Sequence, residues 1–572
     1  MNPGQTLPAQ PGMKSGAAVG ENGAATLAMS RVLLVLFVIL AGFVTIGGQM
    51  VRVSTSRIPT ETMAISDPIA RNWSRPAIVD RNGHLLASDV ATPSLYADPK
   101  LLIDRDEVVE RLRTVLPDLD ERDLLRQLGE DGRRFVWIRR GLTPRLAQEI
   151  HDLGLPGLAF RKELRRVYPA GQVAPHILGQ VDIDNRGLSG IEKFIDASDL
   201  SQPVLAPVVS TREPVRLTLD LAVQHAVRQE LQAALARYKA KAAAAVVMDA
   251  RTGGLVAAVS LPDFDPSRPA AASDAERLDR VMGGVFELGS IFKAFTVAMA
   301  LEGGVATIDS MFDARQPLLI AGRKIDDFHG QKRRLSTQEI FIHSSNIGAG
   351  LMALKLGSQR QRQYLDQFGL TGDLVMEGGS VALPLLPHRW TEIETATIAY
   401  GHGLALAPIQ FAAASAALVN GGVRVWPSVL ATGRPQQALP VRVVKPEISQ
   451  QMRALMRLNV RDAKGTGRRA EVPGLDVGGK TGTADIARNG RYAERAVIAS
   501  FLGAFPMSNP RYVTLLTLFE PEPTIETKAQ ITAGVNAAPA SGRMIARIAP
   551  LLGVRAEQRV EAEGGQRVTP GR

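Results

Sequence analysis

Ser290 and Lys293 stand three residues apart in "GGVFELGSIFKAF" (283–295), inside a run whose residues from Ile291 to Leu301 are otherwise apolar except for Thr296. That run reads as a helix buried nearly all round. A buried ammonium is costly unless it is paired or neutral, and desolvation lowers the pKa of a lysine. Residues three apart share a helix face, so the amine lies beside the hydroxyl. A neutral amine in that place can take the serine proton and turn the hydroxyl into a nucleophile, and a helix N-terminus favours the negative charge that develops. On its own the pair fits a capping serine and a snorkelling lysine better than it fits chemistry. No other lysine in the chain has a serine three residues before it.

Two further stretches change that balance. "HSSNIG" supplies Ser344, Ser345 and Asn346, short hydrogen-bonding groups that suit the neighbourhood of an amine. "VGGKTGTAD" supplies Lys480, Thr481, Gly482 and Thr483 just before the last pair of apolar strands. On a strand edge these residues offer a cation, hydroxyls and exposed backbone to an anionic peptide. The similar letters of Lys464 to Gly467 stand in another order and read as a loop.

The elements that must bring these stretches together follow from the patterning. A chain of 572 residues is expected to form two or three folded units, and 45% hydrophobic with 22% charged residues is a globular composition. The net charge of +10 points to an anionic neighbour such as a membrane surface or an acidic polymer. With only 5% aromatics and no basic cluster interleaved with them, nucleic acid is not an expected partner. No cysteine is present, which excludes disulfides, thiolate metal sites and cysteine nucleophiles. The eight histidines show no metal-ligand spacing, so no metal or other cofactor is expected.

From Val32 to Val51 no charge interrupts the chain, and twenty residues at about 1.5 Å each span a hydrocarbon core of roughly 30 Å. We read 32–51 as one uncleaved transmembrane helix after a disordered segment, 1–31. Lys14 and Arg31 before it balance Arg52 and Arg57 after it, so flanking charge does not set the orientation. Residues 52–215 form a loop-rich, β-containing region: Arg75 to Ala87 predicts a hairpin around Asn82-Gly83, and Asp104 to Leu128 has helical periodicity. His176, in the Pro- and Gly-punctuated stretch 165–196, reads as a hydrogen-bonded structural residue. From 216 to 554, Asp220 predicts the N-cap of a helix. Apolar strand pairs flank Arg251–Gly254 and Ser508–Pro510, with helices between. Strands at both ends imply a chain that closes on itself, an α/β (α+β) unit with an antiparallel sheet backed by helices. Residues 555–572 read as a disordered tail.

The ordered trio, S-x-x-K at 290–293, S-x-N at 344–346 and K-T-G-T at 480–483, resembles the penicillin-binding protein and serine β-lactamase superfamily. Arg75 to Ala87 resembles the signature of class B penicillin-binding proteins, with Pro76 where glycine is usual. Arg166, Tyr168, Pro169, Gly171, His176, Gly179, Gly190 and Glu192, and Ala399 to Gln410, resemble further family elements. The Asn346 form and the "FIHSSNIG" wording resemble the division-specific class B transpeptidases, the FtsI (penicillin-binding protein 3) group, and the ending after Thr532 resembles alphaproteobacterial members.

The resemblance implies a loop-rich pedestal of the dimerisation type at 52–215, then a transpeptidase domain at 216–554. It implies that Ser290 attacks the D-Ala-D-Ala carbonyl of a stem peptide, with Lys293 as base. Ser344 and Asn346 would relay the proton and hold the substrate amide, and Lys480 would tune the relay. Thr481, Gly482 and Thr483 would bind substrate, and the backbone N–H groups of Ser290 and Thr483 would form the oxyanion hole. It further implies β-lactam inhibition, lipid-linked glycan strands as substrate, and partnership with the SEDS glycosyltransferase FtsW and other divisome membrane proteins. The place would be the septal inner membrane, N-terminus in the cytoplasm and catalytic domain in the periplasm. An elongation-specific transpeptidase, a carboxypeptidase or β-lactamase on the same fold, and a silent divisome scaffold stay open as alternatives. No E-x-x-L-N element of the kind some lactamases use for deacylation is present.

Overall fold

The structure is a computed structural model that describes residues 34, 36–48, 50, 74–198, 213–431, 441–488 and 491–556, the side chains of 487–495 excepted. The chain divides into two compact units, Met1–Arg71 and Asn72–Arg572. In the first, Leu34, residues 36–48 and Met50 are helical with exposed side chains. Among the described residues no helix is long and apolar enough to cross a membrane. The remainder of the expected span 32–51, the segment 1–31 and the tail from 557 lie outside the described residues.

The second unit begins with the predicted hairpin. β1 (Ile78–Val79) turns through Asn82-Gly83 into β2 (Leu85–Ala97), pairing Ile78 with Ala87 and Val79 with Leu85. Gly83 sits at φ +91°, and Asp80 Oδ1 accepts the N–H groups of Asn82 and His84 at 2.8 Å each, so the turn is tied to its own first strand. β3 (Val136–Arg139) and β4 (Leu158–Val167) pair antiparallel with β2, and β5 (Val215–Arg216) pairs parallel with β1. The periodic stretch 104–128 forms two helices rather than one, α1 (Arg105–Val115) and α2 (Glu121–Gly129). Pro117 cannot donate to a continuing helix, and Asp120 caps a new one through Asp123 N.

The stretch 165–196 is more ordered than its Pro and Gly content suggests, because it ends in α3 (Gly190–Ala197) and buries charge. Glu192 accepts from Arg75 Nε at 3.0 Å and Arg166 Nε at 2.7 Å, and Arg166 Nη1 reaches Asp89 at 3.1 Å. Asp196 takes Arg75 Nη1 at 2.5 Å. Every ion in this cluster has a counterion. His176 Nε2 lies 2.8 Å from the Glu276 carbonyl, the structural role its sequence setting indicated.

Asp220 caps α4 (Leu221–Tyr238) by accepting from Ala222 N and Val223 N. β6 (Ala242–Asp249) and β7 (Leu255–Leu261) form the first apolar pair. α5 (Lys293–Glu302) and α6 (Asn346–Leu356) lie between the strand pairs. Three short antiparallel pairs interrupt that helical middle: Met311–Asp313 with Arg334–Ser336, Leu318–Ile320 with Arg323–Ile325 inside it, and Val375–Met376 with Gly379–Ser380. β8 (Gly478–Arg488), β9 (Arg491–Phe505) and β10 (Tyr512–Phe519) complete an antiparallel sheet of order β8-β9-β10-β6-β7, and α7 (Ala537–Leu551) follows.

Strand alternation sorts this sheet into two cores. Ala242, Ala244, Val246 and Met248 of β6 face a core shared with Phe295, Val297 and Met299 of α5. Ala243, Ala245 and Val247 face the other, shared with Val227 and Leu231 of α4 and Met544 and Ile548 of α7. Burial on both faces explains why these strands read as continuous apolar runs. β8, at the sheet edge, brings Lys480 to Thr483 beside the turn that carries Ser290.

Candidate active site

Ser290 sits in a 3₁₀ turn, Gly289–Phe292, that runs directly into α5. In 3₁₀ geometry residues i and i+3 eclipse, so Lys293 stands over Ser290 more squarely than an α-helical face would place it. Lys293 Nζ lies 2.8 Å from Ser290 Oγ. It also lies 2.7 Å from Ser344 O, 3.1 Å from Ser344 Oγ and 2.7 Å from Asn346 Oδ1. An ammonium has three protons for these four oxygens, whereas a neutral amine donates two and accepts a hydroxyl proton into its lone pair. The neutral amine can donate to the Ser344 carbonyl and to Asn346 Oδ1 while accepting from the Ser290 O–H.

Electrostatics act in the same direction. Lys293 is fully buried, and burial, reinforced by the charge of Lys480, holds its amine well below the ordinary lysine range, with the Asp327 carboxylate opposing in part. Lys480 is also fully buried, and burial pushes it down to about 7. Lys480 Nζ donates to Ser344 Oγ at 2.9 Å and to Thr481 O at 3.2 Å. One hydroxyl thus bridges the two amines.

Ser344 reaches that bridging position through a backbone outlier. It closes the helix Thr337–His343 in the left-handed region at φ 59°, a conformation that costs a non-glycine residue about 1–2 kcal/mol. Asp327 holds the turn that follows, accepting from Asn346 N at 2.5 Å, Ile347 N at 3.0 Å and Ser345 Oγ at 2.7 Å. Asn346 Nδ2 donates to Asp326 O at 3.0 Å, which aims Oδ1 at Lys293. The sequence reading found Ser344 and Asn346 and missed Asp327, which has neither a fixed offset from the three stretches nor a flanking pattern that marks it.

Thr481 and Thr483 line a cleft of 580 Å³ together with Ser290, Ser344 and Asn346, and Tyr400 and His402 form another part of its wall. Thr483 Oγ1 accepts from Ala533 N at 3.0 Å. Gly482 serves by what it lacks: a Cβ there would stand 2.4 Å from Leu288 O. A Cβ on Gly289, at φ +59°, would stand 2.6 Å from Thr483 O. Strand edge and nucleophile turn therefore pack backbone to backbone. The structure brings Ser290, Lys293, Ser344, Asn346 and Lys480 into one network with Thr481 and Thr483 on the same cleft. Lys464 to Gly467 is a loop, and its Thr466 adds to the cleft wall.

Residues 243–538 match the model of the penicillin binding protein transpeptidase domain, and residues 71–197 that of the penicillin-binding protein dimerisation domain. A probable peptidoglycan D,D-transpeptidase FtsI of Caulobacter vibrioides is 39% identical over 84% of this chain and 82% of its own. The peptidoglycan D,D-transpeptidase FtsI of Escherichia coli K12 is 30% identical over 78% of this chain and 79% of its own. The crystal structure of penicillin binding protein 3 from Mycobacterium tuberculosis, complexed with aztreonam, covers 85% of this chain and 98% of its own at a TM-score of 0.65. At 24% identity that last likeness is one of fold.

Proposed function

Since this chain belongs to the penicillin-binding protein transpeptidase family, we propose that it cross-links septal peptidoglycan as a serine D,D-transpeptidase, the activity named for its FtsI relatives. The single observation that carries the site assignment is the Lys293 amine, buried and held within hydrogen-bond reach of Ser290, Ser344 and Asn346 at once. Neutral Lys293 takes the Ser290 proton as Oγ attacks the carbonyl between two D-alanines. The backbone N–H groups of Ser290 and Thr483 receive the oxyanion, each worth about 3 kcal/mol of barrier. Ser344, set between Lys293 and Lys480, passes the proton to the departing D-alanine amine. Asn346 holds the stem-peptide amide, Thr481 and Thr483 hold the terminal carboxylate, and Gly482 keeps the strand close. An amine of a neighbouring stem resolves the acyl-enzyme, and a β-lactam stops the cycle after acylation.

In this reading residues 52–215 are the pedestal and 216–554 the transpeptidase domain. Residues 32–51 anchor the chain in the inner membrane with 1–31 in the cytoplasm and the catalytic domain in the periplasm. An anionic murein substrate fits both that placement and the net charge of +10. FtsW and other divisome membrane proteins are its expected partners at the septum. Fluorescent penicillin labelling tests the core of the reading. The wild-type chain is expected to label stably and Ser290→Ala not at all. An unlabelled wild type excludes the assignment, and label that turns over quickly favours a lactamase.

A further inference from the structure

The groups assigned so far serve acylation. The second half of the reaction needs an acceptor amine, which arrives as an ammonium near neutral pH and must lose a proton before it can attack. His402 lines the cleft that Ser290 occupies. Its Nδ1 lies 3.0 Å from Glu287 Oε2, and Glu287 Oε1 accepts from Gly403 N at 2.8 Å. The side chains are 26% and 22% exposed, so the pair is set into the wall rather than displayed on the surface.

This pair is tied to the nucleophile by backbone. Glu287 precedes Ser290 by three residues, and Phe286 just before it exchanges two backbone hydrogen bonds of 3.0 Å with Leu406, four residues after His402. A Cβ on Gly401 would stand 2.2 Å from Gly289 O, so the segment carrying His402 presses on the residue before the nucleophile. The Tyr400 ring centroid lies 6.0 Å from Lys293 Nζ and 5.4 Å from the His402 ring. A carboxylate that receives Nδ1–H fixes the tautomer in which Nε2 carries the lone pair.

We propose that His402, oriented by Glu287, is the acceptor-side base, binding the ammonium of the incoming stem and taking one of its protons. The proposal rests on the transpeptidase reading. Nε2 accepts one proton from R–NH3+, leaving R–NH2 and an imidazolium against the Glu287 carboxylate. The amine lone pair forms the C–N bond at the acyl carbon, and collapse breaks the bond from that carbon to Ser290 Oγ. A second amine proton passes through Lys293 to Oγ and restores the hydroxyl, while the imidazolium returns its proton to water.

The test uses the whole chain in detergent, a thioester whose acyl group ends in D-alanine as donor, and D-alanine as acceptor amine. The ratio of aminolysis to hydrolysis is read on the acylated enzyme alone, so a folding loss does not imitate the effect. His402→Ala is expected to lower that ratio on the order of a hundredfold, with added imidazole restoring part of it. Glu287→Gln is expected to lower it as well, since a carboxamide can donate to Nδ1 and reverse the tautomer. An unchanged ratio in His402→Ala, or a loss that imidazole does not relieve, overturns the proposal. A wild type that takes no fluorescent penicillin overturns the transpeptidase reading instead.

Discussion

The dimerisation domain and the cleft bury charge in opposite ways. Around Glu192, Arg75 and Arg166 each find a carboxylate, and Asp89 and Asp196 complete the set. In the cleft, Lys293 and Lys480 are as deeply buried, yet the atoms around their amines are hydroxyls, carbonyls and an amide. Paired ions keep their charge and fix the fold; unpaired cations reduce their cost by giving up the proton. The same physical penalty yields a rivet in one region and, on the proposed reading, a base in the other. Buried lysines gathered around hydroxyls are thus a sharper sign of chemistry than buried charge in general.

Four substitutions break or sharpen this contrast. The largest effect is expected for Lys293→Arg, which keeps charge but cannot release its proton. Acylation by penicillin, followed by stopped-flow or gel, should fall about 10³-fold or more. Near-normal acylation in that variant would remove Lys293 from the base role. Next, Glu192→Ala leaves two arginines without their shared counterion and should cost about 3–5 kcal/mol of stability in a thermal or urea melt. A loss below about 1 kcal/mol would show the dimerisation-domain cluster to be as solvated as a surface pair.

The third concerns pH. The folded value of about 7 for Lys480 lies below the roughly 10.4 of an unfolded lysine, so between them the unfolded chain holds the proton and the folded one does not. Stability therefore rises with pH in that window, by about 1.4 kcal/mol per unit from this group. Lys480→Met should flatten that part of the slope, and parallel slopes for both proteins would mean the lysine stays charged in its pocket. The smallest effect is expected for Asp327→Asn, which weakens three hydrogen bonds without emptying the space. It should slow acylation by about tenfold, or 1–2 kcal/mol, with the melting temperature nearly kept.

What the sequence revealed follows from the range of each interaction. The hairpin at 75–87, the cap at Asp220 and the apolar strand pairs are local, and local patterns carry them. Ser290 and Lys293 were legible because a lysine three residues after a serine inside an apolar helix conflicts with its surroundings. Pro117 and Asp120 break the helix at 104–128 although the helical periodicity of the stretch runs on through them. Asp327 and the Glu287–His402 pair were not legible. Each depends on a contact between segments that only tertiary packing brings together, 115 residues apart for Glu287 and His402. The left-handed Ser344 was hidden for a related reason, since the lysines its hydroxyl and carbonyl meet come from distant segments.

Three glycines meet where the nucleophile turns: Gly289 against Thr483, Gly482 against Leu288 and Gly401 against Gly289, each too close for even a methyl group. On the proposed reading, in which a β-lactam acylates Ser290, no side chain can be added at any of these three positions without moving backbone. Side-chain variation near the nucleophile is then expected to collect on the rim of the cleft, where it forces no backbones apart.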